Sequence, residues 1–120
     1  MYRYSAKLIR VVDGDTFDAM VDLGFDIWVK KRVRLSGINA YESRTRNKQI
    51  KKKGLAAKAR LEQVLKKEEE FSLVSNGVGK YGRCLADIYL VKRYVRSEKY
   101  YGKCINEMLV KEGHAVIYEC

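Results

Sequence analysis

Three short stretches of this chain carry side chains able to do chemistry together. Arg32 to Ser43 reads RVRLSGINAYES, a β-type run ending at Gly37 that then presents Asn39, Tyr41 and Glu42, with Arg34 behind them. Val12-Asp13-Gly14-Asp15-Thr16 is an acidic turn of the kind that joins two strands and can aim a carboxylate at a bound cation. Lys80-Tyr81-Gly82-Arg83 sets a cation directly before the apolar run Leu85 to Val91. A carboxylate, an amide, a glutamate and two arginines converging on one place suit attack on a phosphodiester. That reaction needs a positioned water and positive charge where the transition state gains negative charge.

The three stretches in this order resemble the staphylococcal nuclease (thermonuclease) family, whose pattern runs DGDT, then R-x-x-x-x-D-T-P-E, then K-Y-G-R ahead of a strand. Arg34 lies five residues before Asn39 and eight before Glu42, the family's spacing, and the likeness runs from about Lys7 to Tyr118. Asn39 stands where the family has its second aspartate, and Ala40-Tyr41 where it has Thr-Pro. The resemblance implies an oligonucleotide/oligosaccharide-binding (OB) barrel. It also implies an endonuclease acting on DNA and RNA with little sequence preference and leaving 3′-phosphate ends. By the same resemblance, Asp15, Asn39 and the backbone carbonyl of Ala40 would ligate Ca2+. Glu42 would orient or deprotonate the attacking water, Arg34 and Arg83 would hold phosphate oxygens, and Lys80 and Tyr81 would bind the neighbouring phosphate and sugar. Family relatives that keep the barrel but have lost site residues supply the alternative, a non-catalytic nucleic-acid-binding module. Asn39 and Ala40 keep it open, and Asn39, with a partial charge in place of a carboxylate's full one, predicts weak Ca2+ binding, since ligand charge tunes affinity.

The elements that must position these residues follow from pattern. A length of 120 residues predicts one domain. Tyr4 to Val12 is rich in β-formers and runs into Asp13-Gly14, a hairpin signal. Phe17, Ala19, Val21 and Leu23 then alternate with Thr16, Asp18, Met20 and Asp22, which predicts a half-buried strand with the second set outward. Asp15 shares the parity of the apolar set, so it needs either a cation or hydrogen bonds from the turn. Leu23 to Asp26 reads as a turn, and Ile27 to Leu35 as a third strand whose Lys30, Lys31, Arg32 and Arg34 form a basic face. Ser43 to Lys53 is polar and basic and predicts an exposed loop, followed by a helix over Leu55 to Lys67 with Ala57, Leu61, Val64 and Leu65 inward. Phe71 to Ser75 and Cys84 to Val91 read as the fourth and fifth strands, with a glycine-rich turn at Asn76 to Gly79. Lys92 to Tyr101 is a basic, aromatic segment suited to an added hairpin. Cys104 to Glu112 predicts a second helix stopped by Gly113, ahead of a short tail. Five short strands with helices after the third and fifth suggest an α+β, mainly β, five-stranded OB barrel with two to three helices.

Composition narrows the partners. A formal net charge of +10 favours a polyanion such as nucleic acid through phosphate contacts and counterion release. The apolar runs are too short to cross a bilayer, and no apolar signal region precedes the first strand. The three cysteines, Cys84, Cys104 and Cys120, are odd in number and lack C-x-x-C spacing, which argues against a disulfide framework or a zinc site. An intracellular, monomeric protein is expected.

Overall fold

The computed structural model describes residues 2–41, 46–66, 70–79, 82–90 and 103–117. Its barrel is built from β1 (Tyr2–Asp13), β2 (Thr16–Asp22), β3 (Trp28–Leu35), β5 (Phe71–Val78) and β6 (Cys84–Leu90), ordered β3-β2-β1-β5-β6 and closed by parallel pairing of β3 with β6. Closure removes the exposed sheet edges and leaves a five-stranded barrel of the OB type. The shorter strand β4 (Ile38–Ala40) pairs with β8 (Ala115–Ile117), and β7 (Lys103–Cys104) lies against β6. Two helices, α1 (Lys48–Lys66) and α2 (Ile105–Lys111), pack on the barrel among the described residues. None is long and apolar enough to cross a membrane.

The interior is the apolar parity of each strand. Phe17, Val33, Leu35, Phe71, Ala86 and Ile88 are buried, with Phe17 and Phe71 edge to face at 5.7 Å between ring centroids. Leu61 and Leu65 of α1, and Ile105 and Leu109 of α2, seal the two sides of this core. The helix α2 ends in a Schellman motif. Gly113, at φ +80°, donates its N–H to Val110, and His114 donates to Leu109 at 2.9 Å.

Four expectations change. The helix begins at Lys48 rather than Leu55, so Lys48 to Lys53 are helical instead of loop. Asn47 is the reason: its side-chain oxygen accepts from the N–H of Gln49 at 3.0 Å and of Ile50 at 3.3 Å, capping a turn that has no apolar stripe to reveal it. Asn76 to Val78 continue β5 through an irregularity after Ser75, instead of forming the turn. Thr16 and Asp18, expected outward, are buried, whereas Leu23, expected inward, is about half exposed. The short strand β4, read from sequence only as chain leaving the sheet, has its own partner in β8. Residues 92–101, with the expected hairpin, lie outside the described residues.

Candidate functional site

Asp15 is fixed by everything around it. The turn after β1 brings it beneath Arg34, because Asp13 pairs with Thr16 and Thr16 with Arg34 across three adjacent strands. Its carbonyl accepts from the Leu35 N–H at 2.8 Å, which ties the turn to the end of β3. Gly14 makes the approach possible: a Cβ there would lie 2.7 Å from the Ala57 Cβ of α1 and 3.0 Å from the Ala40 Cβ of β4. A glycine is therefore required by packing, whatever its dihedral preference.

Asp15 is only 9% exposed, and both of its carboxylate oxygens have polar partners. Thr16 Oγ1 donates to Oδ1 at 3.0 Å, the Ala40 N–H donates to Oδ2 at 3.0 Å, and Arg34 Nη2 stands 3.6 Å from Oδ2. The same Arg34 nitrogen donates to Asn39 Oδ1 at 3.3 Å, while Nη1 reaches the Leu35 carbonyl at 3.3 Å. Asp15 and Asn39, both singled out from sequence, thus meet at the Arg34 guanidinium, and the Ala40 N–H holds the Asp15 carboxylate there. Asp15 is satisfied by neighbouring side-chain and backbone donors and by the Arg34 guanidinium.

Arg83 enters β6 beside the strand that carries Arg34, since the next residue, Cys84, pairs with Val33, and Leu85 with Arg34. Its carbonyl accepts from the Gly79 N–H at 2.7 Å, which closes the connection between β5 and β6. Glu42, Lys80 and Tyr81 lie outside the described residues. Tyr41, the last described residue before Glu42, is covered by Lys53 of α1, whose Nζ stands 5.2 Å from the ring centroid. Sequence reasoning missed Gly14 as a packing contact and Thr16 as a donor, because the D-G-D-T turn shows in sequence only its hairpin signal and its acids.

The donor set tests the implied cation. Asp15 Oδ2 and Asn39 Oδ1 face one another across a single nitrogen, and the Ala40 backbone adjoins both. Oxygen donors with one full negative charge fit a hard divalent cation such as Ca2+ and do not fit a soft one. Among the described residues no group of three His, Cys, Asp or Glu side chains converges on a point.

A closed five-stranded barrel, with a buried carboxylate beside an arginine at the end of β3, defines an OB-type domain. Residues 32–120 match the family model described as Staphylococcal nuclease homologue. The chain belongs to that family. The matched span holds Arg34, Asn39, Glu42 and Arg83, and the turn bearing Asp15 lies before it. Comparison with curated proteins gives no match.

Proposed function

We propose that the protein is a Ca2+-dependent endonuclease that hydrolyses phosphodiester bonds of DNA and RNA with little sequence specificity and leaves 3′-phosphate ends. The observation that carries this reading is the shared contact of Arg34 Nη2 with Asp15 and Asn39, which sets a guanidinium and a buried carboxylate side by side at the end of β3. Asp15, Asn39 and the Ala40 carbonyl would hold the cation. When bound, Ca2+ would polarise a phosphoryl oxygen and offset charge in the transition state. Arg34 would turn its planar donors onto the non-bridging oxygens, a task that bidentate guanidinium geometry suits better than an ammonium. Arg83 would approach the same phosphate from β6. Glu42 would hold the attacking water, and Lys80 with Tyr81 would bind the next phosphate and sugar.

A second reading, a nucleic-acid-binding module without catalysis, is favoured by Asn39. That residue gives Arg34 an amide partner where the family pattern has a carboxylate. Digestion of plasmid DNA and of RNA with and without Ca2+, for the parent and Glu42→Gln, separates the two. The nuclease reading expects cleavage that chelation abolishes and that the variant loses while still binding nucleic acid. Binding without metal-dependent cleavage in the parent would leave the module in its place.

A further inference from the structure

The outer face of β1, β2 and β3 carries charge in rows that continue away from the candidate site. Reading across the three strands, Asp13, Thr16 and Arg34 form one row, Arg10, Asp18 and Arg32 the next, and Lys7, Met20 and Lys30 a third. Rows two residues apart lie about 6.8 Å from each other along a strand. The middle row exists because of a bulge. The register of β1 slips between Leu8 and Arg10, so Arg10 instead of Ile9 comes opposite Asp18.

Asp18 is 3% exposed and is held between two guanidiniums. Arg10 Nε donates to Oδ2 at 3.1 Å, while Arg32 Nε donates to Oδ1 at 2.9 Å and its Nη2 to Oδ2 at 3.3 Å. The arginine side chains themselves remain 66% and 46% exposed. One buried anion therefore sets two cations in fixed orientation on an open surface. Arg10 Nη1 and Nη2 and Arg32 Nη1 are the nitrogens that Asp18 does not take. The row is net positive by one charge, and the next row adds Lys7 and Lys30, of which Lys7 also sits 3.9 Å from Glu70 and 5.0 Å above the Trp28 ring.

We propose that the Arg10–Asp18–Arg32 row is a phosphate clamp for a single strand of nucleic acid whose adjacent phosphate lies at Arg34, with Lys7 and Lys30 continuing the track. The inference rests on the nucleic-acid reading of the site above and extends it along the sheet. A face three strands wide measures about 10 Å across, room for one sugar–phosphate chain beside the site and not for a duplex. Contacts made by cations alone position the backbone and read no base.

The test is fluorescence anisotropy with a labelled oligothymidylate long enough to cross all three rows, over a salt series, beside a dinucleotide cleavage assay. The variant R10Q/D18N/R32Q removes the clamp without stranding a buried carboxylate, and its net charge falls by only one. Lys111→Gln, on α2, removes one charge elsewhere and measures the general electrostatic effect. The clamp expects the triple variant to bind the long strand severalfold more weakly than Lys111→Gln does, with its log–log salt slope reduced by about 0.7 for each phosphate lost. Dinucleotide cleavage should be unchanged. Matching affinity and slope in the two variants would overturn the clamp and leave the nuclease reading standing. A parent that binds the long strand but never cleaves still tests the clamp, because the readout is binding; a parent that binds no nucleic acid overturns both.

Discussion

At the level of single residues, the site turns on what stands beside Arg34. Asn39 offers an amide oxygen at 3.3 Å, a partial charge in place of a full one. Asn39→Asp should bind Ca2+ more tightly and reach half-maximal cleavage at severalfold lower Ca2+, measured by calorimetry and by a Ca2+ titration of activity. Asp18 behaves differently, because its partners are already in place. The Arg32 hydrogen bond, opposed by desolvation and reinforced by Arg10, holds its carboxyl below the ordinary value. A depressed carboxylate stabilises the fold at pH above its unfolded value, about 3.9, and loses that contribution as pH falls through the folded one. Urea unfolding should therefore find Asp18→Asn less stable than the parent near neutrality, with the gap narrowing below about pH 4. Of these residues, Arg34 and Asn39 were legible in the sequence because only the short turn between β3 and β4 separates them, so their spacing survives folding. The partnership of Asp18 was not legible. It depends on a bulge that moves Arg10 by one position, and alternation alone put Asp18 on the solvent side.

Among the elements, α1 does more than cover the core. Its Ala57 meets Gly14 so closely that the helix and the acidic turn are packed as one unit with Ala40 of β4. Gly14→Ala should destabilise the protein by about 1–3 kcal/mol by overpacking. It should also lower cleavage further than stability alone explains, since the added methyl displaces the turn that carries Asp15; chemical unfolding and turnover measured together distinguish the two effects. The first turns of the same helix have no such packing. Asn47→Ala removes the cap bonds to Gln49 and Ile50 and should cost about 1 kcal/mol of unfolding free energy, measured by urea titration, with some loss of helical circular dichroism. The apolar stripe that announced this helix starts only at Ala57, which explains why its basic opening, Lys48 to Lys53, read as loop. The cap signal was present in Asn47, but a run of lysines without burial gave it no helix to cap.

Across the whole molecule, distant segments are fastened by a few polar bonds. Asn106 is 4% exposed and donates to the carbonyls of Ser36 at 2.9 Å and Ala86 at 3.2 Å, while its oxygen accepts from the Ile88 N–H at 3.2 Å. That one side chain joins α2 to the end of β3 and to β6. The strand β8 does the same for the site itself, because Asn39 pairs with Val116 and Ala40 with Ala115. Removing residues 115–120 should leave the closed barrel and its circular dichroism largely in place yet reduce cleavage by an order of magnitude or more, about the size of effect expected when a site's support shifts by an ångström. Barrel closure was predictable, since five strands of the right parity have few other solutions. The pairing of β4 with β8 was not, because three-residue strands carry too little pattern to name a partner.

The pairing of β4 with β8 also has a consequence in time. A chain made from its N-terminus emits Asp15 and Arg34 well before the strand that braces Asn39 and Ala40. Until that strand has been made, Asn39 and Ala40 have no neighbouring strand on which to set their backbone, so the acidic turn and Arg34 wait on a segment that begins about eighty residues after Arg34.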